Sequence, residues 1–267
     1  MPLAAVGENQ LSYERSGAGE PLLLIMGMSG TAQHWGEPFL EPLRASFEVI
    51  TYDHRGVGDS TPLHGSITTA EMAADAAGLL DALEIDSAHV LGISMGGMVA
   101  QELALAHPER VRTLALGCTY CGGQGSAVAA PEVVQTLSEA MLSGDRLRAL
   151  RAGWEANVSP AAAADEEAFA RFMSIGERHA VALAVVMAQM QAVAAHDTST
   201  RLPDLAMPTL VVHGTEDRML PVANAHMIAS LVPGSQLEIL DGVGHLFFWE
   251  MPQRSAELVR AHASVLA

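Results

Sequence analysis

The sequence contains a serine, an acid and a histidine in the order expected when the serine lies between a strand and a helix: Ser94, Asp217 and His245. Ser94 lies between Gly92 and Gly96 in the segment HVLGISMGGMVAQ (89 to 101), which matches the pattern GxSxG. In this pattern a sharp turn holds the serine in a strained conformation and projects its hydroxyl outward, which suits nucleophilic catalysis. The alternative is a tight helix start without catalytic use.

A serine hydroxyl needs two partners, because it is a weak nucleophile at neutral pH: a histidine accepts its proton and an acid orients the histidine. The acid is expected in GTEDRMLP, after the predicted strand PTLVVHG (208 to 214), where Glu216 and Asp217 are both available. We favour Asp217, because the following turn, from Met219 to Pro221, places it at the inward bend of the loop. The alternative is a carboxylate that caps a turn or helix.

The histidine is expected to be His245, in the segment DGVGHLFFWEMPQ. It follows the last predicted strand and two flexible glycines, Gly242 and Gly244, so the loop can carry a side chain back over the sheet. A loop histidine by itself is more often a surface residue. Three residues in the right order, each after a predicted strand, favour the catalytic interpretation.

Two backbone N–H groups are expected to stabilise a developing oxyanion. The N–H of Met95 lies at the start of the helix that follows Ser94, where the helix dipole is positive. The second donor should come from a loop after an early strand, and the segment IMGMSG (25 to 30) offers the N–H of Met28. The alternative for this segment is a simple glycine turn.

The elements that would position these residues alternate between strands and helices. Apolar strand-like segments are PLLLIMG (21 to 27), FEVITYD (47 to 53), HVLGI (89 to 93), VRTLALG (111 to 117), PTLVVHG and QLEILDG (236 to 242). Such alternation predicts an α/β fold with a mostly parallel central sheet flanked by helices and ligand sites at the carboxyl ends of the strands. The segment QLSYERSGAGE (10 to 20) could add an antiparallel hairpin at the sheet edge.

The alternation stops between Gly122 and Pro203, where the chain is rich in alanine and favours helices. We expect a helical cap over residues 122–203, inserted between two parts of a core domain, 1–121 and 204–267. A turn is predicted at Ser143 and Gly144. The longest periodic stretch runs from 166 to 195, with an interruption at Gly176.

Composition excludes several classes of function. With 31 acidic and 14 basic residues, the formal charge of −17 repels phosphate backbones and anionic membranes, so neither a nucleic acid nor a membrane is an expected partner. No apolar run approaches the roughly 20 residues that cross a bilayer, and the amino terminus does not resemble a secretory signal, so we expect a soluble cytoplasmic protein.

Neither a metal nor a cofactor is expected. The histidines show no HExxH or comparable ligand spacing. Cys118 and Cys121 form a CxxC pair, which could be a redox or zinc motif, but the setting is wrong for the first and two further ligands are lacking for the second. We favour a reduced pair with a structural role or a place at the pocket rim.

Taken together, these segments resemble the α/β-hydrolase fold family, in the branch of small carboxylesterases and 3-oxoadipate enol-lactonases. The resemblance extends over nearly the whole chain through PLLLIMGMSG, YDHRGVGDS (52 to 60), LGISMGGMVAQELALAHPERV (91 to 111), PTLVVHGTEDRMLP and GVGHLFFWEMP. It implies the same catalytic residues and oxyanion donors, and a structural role for Asp53, Arg55 and Gly56. One departure is Met26, since many relatives carry His-Gly where this chain has Met26 and Gly27.

The resemblance implies a serine hydrolase acting on a small carboxylic ester or lactone, and the lack of an evident positively charged cluster in the sequence favours an uncharged substrate. Competing hypotheses are a C–C bond hydrolase of ring-cleavage products, in which asparagine often precedes the serine instead of Ile93, a cofactor-free perhydrolase, and a slow-turnover signalling protein that binds a ligand. The expected partner is a small-molecule substrate, with monomer or homo-oligomer left open. From their proximity to the catalytic loops, the residues predicted to line the pocket are Met28, Met95, Trp154, Met219, Leu246 and Phe247.

Overall fold

The structure, a computed structural model, describes residues 1–178 and 180–266, and its strands form one eight-stranded sheet. The strands are β1 (Leu3–Val6), β2 (Asn9–Gly17), β3 (Glu20–Ile25), β4 (Phe47–Tyr52), β5 (Ala88–Ile93), β6 (Val111–Gly117), β7 (Thr209–Gly214) and β8 (Gln236–Leu240). Their order across the sheet is β1-β2-β4-β3-β5-β6-β7-β8. The pairs β1–β2 and β2–β4 are antiparallel, and all the others are parallel.

Helices cover both faces of the sheet and fill the segment between β6 and β7. The helices are α1 (Glu37–Arg44), α2 (Thr69–Ala82), α3 (Met95–Ala106), α4 (Pro131–Leu142), α5 (Arg146–Asn157), α6 (Pro160–Ala163), α7 (Glu166–Arg178), α8 (Leu183–Ala195), α9 (Ala223–Leu231), α10 (Phe247–Glu250) and α11 (Pro252–Ala263). Within the described ranges, no helix is both long enough and apolar enough to cross a membrane.

The six apolar segments predicted as strands are confirmed as β3 to β8. Every residue of β5 and β7 is buried, as expected for a parallel strand that helices cover on both faces. The antiparallel prediction is confirmed in part: residues 9–17 form β2, but the hairpin partner of β2 is β1, and β2 also pairs with β4.

Alternating side chains divide the apolar core into two layers. Along β3, Leu22 and Leu24 pack in the layer that contains α1 and α11, whereas Leu23 and Ile25 pack in the layer that contains α2 and α3. The period of two in a strand sends successive side chains to opposite faces. The sheet therefore holds both helix layers in place, and the loops at its carboxyl edge inherit fixed positions.

Residues between β6 and β7 form α4 to α8, and the described part of this segment contains no strand. The turn predicted at Ser143 and Gly144 is confirmed between α4 and α5. The interruption predicted at Gly176 is wrong, since α7 continues through it; a Cβ there would lie 3.3 Å from Leu150 Cδ2, so glycine lets α7 approach α5 closely. We call residues 122–203 the cap; their separation as a domain stays a prediction.

The loop after β4 joins three parts of the fold. Asp53 Oδ1 accepts a hydrogen bond from the backbone N–H of Ala32 at 2.7 Å, and Arg55 forms a 2.6 Å ion pair with Asp75 of α2. Gly56 has a φ of 82°, and a Cβ there would lie 2.8 Å from Val185 of α8. These contacts agree with the structural role that the resemblance implies.

A buried polar cluster joins the end of the cap to the core. His196, just after α8, contacts Thr69 of α2 through Nδ1 at 3.1 Å. Thr198 donates its N–H to the carbonyl of Cys121 at 2.8 Å and its hydroxyl to Gln101. Since burial disfavours the charged form, the pKa of His196 falls from 6.5 to about 4.

Acid should destabilise the fold through its buried histidines. Burial also lowers the pKa of His54 from 6.5 to about 4. The unfolded chain binds these protons near pH 6.5 and the folded chain only near pH 4, so stability present above pH 6.5 is lost as pH falls toward 4, by up to about 1.4 kcal/mol per pH unit for each histidine. Urea unfolding at several pH values measures this slope. In the His196→Gln variant the slope should be shallower than in wild type, and an unchanged slope would contradict the assignment.

Candidate active site

Ser94 lies in the turn between β5 and α3 and has a left-handed backbone conformation, with φ 53° and ψ −125°. Its N–H donates to the carbonyl of Gly117 at the end of β6, at 2.9 Å. A Cβ at Gly92 would lie 2.2 Å from the carbonyl oxygen of Gly96, and a Cβ at Gly96 would lie 2.0 Å from that of Ile25. Neighbouring backbone thus leaves no space for a Cβ at either glycine of the motif. This close packing confirms the sharp turn predicted from the sequence.

The two backbone N–H groups predicted as oxyanion donors belong to Met95 and Met28, and Met28 lines the same cavity as Ser94. Met95 is the first residue of α3, so its N–H has no acceptor within the helix and lies at the positive end of the helix dipole. Met28 lies in the loop after β3, residues 26–30, which we call the oxyanion loop. The side chain of His54 donates from Nε2 to the carbonyl of Met26 at 3.0 Å and so holds the start of this loop.

Asp217 and His245 come together across the loops that follow β7 and β8. Asp217 is buried, and its Oδ2 lies 2.7 Å from Nδ1 of His245. The neighbouring Glu216 is exposed, so of the two predicted acids Asp217 is the one that contacts the histidine. Because a carboxylate oxygen accepts, Nδ1 carries the proton and Nε2 of His245 has the free lone pair.

The carboxylate of Asp217 accepts four hydrogen bonds. Its Oδ1 accepts from the N–H groups of Met219 and Leu220 at 2.8 and 2.9 Å, and its Oδ2 accepts from His245 and from Nε2 of His213, which lies 3.0 Å away. Burial alone would raise the pKa of Asp217, but the charge of His245 and the hydrogen bonds from both histidines outweigh burial and hold it well below its usual range. Asp217 is therefore an anion at neutral pH.

His213 was missed by the sequence analysis. It is fully buried at the end of β7, and Nε2 also lies 2.6 Å from the carbonyl of Leu220. Both neighbours are acceptors, so Nε2 carries the proton and is shared between them. The available signal was a histidine four residues before the acid, in an otherwise apolar strand.

Backbone contacts with the cap and with α10 fix the His245 loop. A Cβ at Gly244 would lie 2.6 Å from the backbone of Val158, so glycine permits this close approach. The N–H of Gly244 donates to Glu250 at 2.8 Å, and the N–H of Leu246 donates to the carbonyl of Asn157 at 2.8 Å. The cap thus helps to place the imidazole.

Both cysteines are buried free thiols. One metal-ligating atom from each of Cys118, Asp217 and His245 lies within 4.8 Å of the others. Burial and then the charge of Asp217 raise the pKa of the Cys118 thiol well above 9.0, so the thiol stays protonated. Since Asp217 and His245 already share a proton at 2.7 Å, Cys118 packs behind this pair as a neutral group.

Ser94 and His245 line the same cavity, which has a volume of about 270 Å³. Its walls come from the oxyanion loop, the His245 loop and the cap, and no arginine, aspartate or glutamate is present among the described residues that line it. Ala149, Leu150, Gly153 and Asn157 contribute one face of α5, and Phe172 and Trp249 add an aromatic corner with ring centroids 5.8 Å apart. The cavity is largely apolar, and the titratable side chains among its described lining residues are those of His34 and His245.

The predicted pocket residues divide into two groups. Met28, Met219 and Leu246 line the cavity, whereas Trp154 and Phe247, which were also predicted to line it, are not among its lining residues. Trp154 is 1% exposed and packs behind the wall, with its ring centroid 5.2 Å from that of Phe172. Phe247 packs under the sheet, where a Cβ on Gly117 would lie 2.7 Å from its ring.

Proximity in the sequence does not fix side-chain direction at the start of a short helix, and here Phe248 faces the cavity instead of Phe247. Met95, also predicted to line the pocket, is fully buried and is not among the residues that line the cavity. The prediction that the backbone N–H of Met95 is an oxyanion donor does not depend on where its side chain lies.

Comparisons with known proteins give one family and relatives of similar length. A family model described as the alpha/beta hydrolase fold matches residues 20–252. The RutD protein of Azorhizobium caulinodans, named as a candidate carbamate hydrolase, is 33% identical over 252 residues, which cover 92% of each chain.

Two solved structures cover nearly all of the chain. The esterase RhEst1 from Rhodococcus sp. ECU1013 has a TM-score of 0.82 at 28% identity and covers 99% of this chain and 98% of its own. The enol-lactonase from Burkholderia xenovorans LB400 has a TM-score of 0.85 at 25% identity and covers 98% of this chain and 100% of its own.

Substituting a glycine of the serine turn should be strongly destabilising. In Gly92→Ala the new methyl group meets the backbone of Gly96, which cannot move aside cheaply, so we expect a loss of about 2 kcal/mol or more in the free energy of unfolding. Gly153→Ala in α5 is the control: its Cβ meets open space, and alanine in a helix should add about 0.5–1 kcal/mol. Urea unfolding measures both, and similar values for the two variants would contradict this account.

Removing the fourth donor to Asp217 should also destabilise the protein. His213→Leu removes the N–H that Asp217 shares with the carbonyl of Leu220, and the loss should be at most the roughly 1.5–3 kcal/mol of a hydrogen bond to a charged group. His213→Gln retains an N–H donor and should recover part of the loss. Chemical denaturation at pH 7 gives the comparison; equal stability of the leucine and glutamine variants would show that the bond contributes nothing.

Proposed function

The chain belongs to the α/β-hydrolase fold family, and we propose that it is a serine hydrolase that cleaves small, uncharged carboxylic esters or lactones through an acyl-enzyme intermediate. One observation carries the proposal: Ser94, in its strained turn, lines the same cavity as His245, which the buried Asp217 anion orients. We assign Ser94 as the nucleophile, His245 as the general base and Asp217 as the acid.

Acylation follows from the protonation states of the site. Nδ1 of His245 donates to Asp217, so Nε2 accepts the proton of the Ser94 hydroxyl as the oxygen attacks the substrate carbonyl. The carbonyl oxygen becomes an oxyanion, which we assign to the N–H groups of Met28 and Met95. Preorganised donors of this kind each lower the barrier by roughly 3 kcal/mol. The anion of Asp217 stabilises the imidazolium that forms.

Departure of the alcohol completes acylation, and deacylation then repeats these steps with water. The imidazolium first returns its proton to the leaving alkoxide, so the alcohol departs and the acyl group stays on Ser94. Nε2 of His245 then takes a proton from water as the hydroxide attacks the acyl carbon. Collapse of the second oxyanion breaks the bond from the acyl carbon to Oγ of Ser94, which takes the proton back from the His245 imidazolium, and the carboxylic acid is released.

Size and charge of the cavity support a small, uncharged substrate. Its volume of about 270 Å³ is just below the 300–1,000 Å³ typical of pockets for drug-sized ligands. No arginine or lysine is present among the described lining residues to bind a charged acyl group, and the formal charge of −17 disfavours the approach of anions. The relatives named as an esterase and an enol-lactonase support the ester and lactone classes.

Carbamate hydrolysis is a second candidate function. The relative that carries this name is 33% identical over 92% of the chain. A carbamate carbonyl differs from an ester carbonyl by the nitrogen attached to it, so the same nucleophile and oxyanion donors could act on it. A carbamate therefore belongs in the substrate panel beside the esters.

Ser94→Ala should abolish ester hydrolysis. We expect kcat/KM for p-nitrophenyl acetate and butyrate to fall at least about a thousandfold, because the acyl-enzyme cannot form. Absorbance assays measure the rate, and circular dichroism checks the fold. Ser230→Ala, at an exposed serine of α9, is the matched control and should match wild type.

Three outcomes would contradict the proposal. Ser94→Ala with more than a tenth of wild-type activity would exclude Ser94 as the nucleophile. A single acylation of wild type without turnover would favour a ligand-binding protein. Faster cleavage of p-nitrophenyl carbamates than of either ester would favour the second candidate.

A further inference from the structure

A glutamine of the cap holds the oxyanion loop from behind. Gln189 lies on α8 and is 1% exposed. Its Oε1 accepts a hydrogen bond from the backbone N–H of Ser29 at 2.8 Å, across 160 positions of sequence. Gln189 does not line the cavity, so it cannot touch a substrate there.

The residue that receives this contact is strained. Ser29 has a φ of 57°, a left-handed conformation that is costly for a residue other than glycine and persists only where its surroundings hold it. Its N–H belongs to the peptide group that joins it to Met28. Fixing that plane restricts the backbone torsion on the carbonyl side of Met28.

The oxyanion loop is also restrained ahead of Met28. His54 holds the carbonyl of Met26 at 3.0 Å, and the N–H of Gly30 closes a turn on the carbonyl of Gly27 at 3.3 Å. The peptide that carries the Met28 N–H therefore lies between two restrained groups. Gln189 supplies the restraint on the far side.

The amide nitrogen of Gln189 indicates that the amide oxygen is the group for which a glutamine is needed here. Nε2 is buried and has no hydrogen-bond partner among the residues that the structure describes. A buried donor without a partner is destabilising, so packing alone would be better served by an apolar side chain of similar size. The contact with Ser29 is what an apolar residue could not supply.

We propose that Gln189 is a positioning residue of the hydrolytic reaction: by accepting the Ser29 N–H, it aims the Met28 N–H at the oxyanion. The inference rests on the proposed serine-hydrolase function. It makes the geometry of the oxyanion site depend on α8 of the cap as well as on the sheet. Misplacing a preorganised donor weakens binding of the transition state more than binding of the substrate.

Gln189→Met tests this role, because methionine is of similar size and lacks the amide oxygen that accepts the Ser29 N–H. With p-nitrophenyl butyrate we expect kcat to fall at least about tenfold, with KM within about twofold of wild type. The affinity for a trifluoromethyl ketone, whose adduct with Ser94 carries an oxyanion, should fall by the same factor as kcat/KM. Gln135→Met, at an exposed glutamine of α4, makes the same chemical change and should leave all three quantities unchanged.

Labelling with a fluorophosphonate separates this inference from the proposed function. Wild type that labels at Ser94 and a Gln189→Met variant that labels at least about tenfold more slowly would support both. Equal labelling rates and equal ketone affinities, even with a lowered Tm, would overturn the role of Gln189 and leave the proposed function standing. Absence of labelling in wild type would overturn both. Should Gln189→Met not fold, Gln189→Asn withdraws the oxygen by one methylene and takes its place.

Discussion

The left-handed turn at Ser94 is the constraint on which the rest of the site depends. Backbone from the same turn and from the end of β3 approaches so closely that neither Gly92 nor Gly96 has space for a Cβ atom. A strained residue of this kind persists only where its surroundings determine it, and here the parallel sheet does so. The order of strands brings β3 and β6 to either side of β5, so the oxyanion loop, the serine turn and the loop after β6 all meet at one edge.

A second constraint is the burial of a negative charge. Asp217 lies out of solvent, where an unpaired carboxylate would be strongly destabilising, and four hydrogen bonds compensate it. Two of these donors come from its own loop, one from β7 and one from the His245 loop. The same contacts that stabilise the anion therefore orient the imidazole, so the stability of this region and the proposed chemistry rest on one set of bonds.

The cap contributes to the site in three ways. It supplies one wall of the cavity through α5, it fixes the His245 loop through Val158 and Asn157, and it reaches the oxyanion loop through Gln189. Its base is joined to the core by the buried cluster around His196. Changes in the cap would thus alter the size of substrate that the cavity accepts. They would also alter the positions of site residues that belong to the core.

The sequence by itself determined the α/β fold, the strands β3 to β8 and the serine turn, because each depends on local patterns: continuous apolar runs, helical periodicity and paired glycines. It also favoured Asp217 as the acid and His245 as the histidine, because their order along the chain and their positions after strands can be read from the sequence. The tertiary structure decided which side chains face the cavity, because that depends on how the helices of the cap are rotated against the core. Hence Phe248 lines the cavity where Phe247 was expected, Trp154 packs behind the wall, and Gln189 contacts Ser29 across 160 positions, a separation that no local pattern reports.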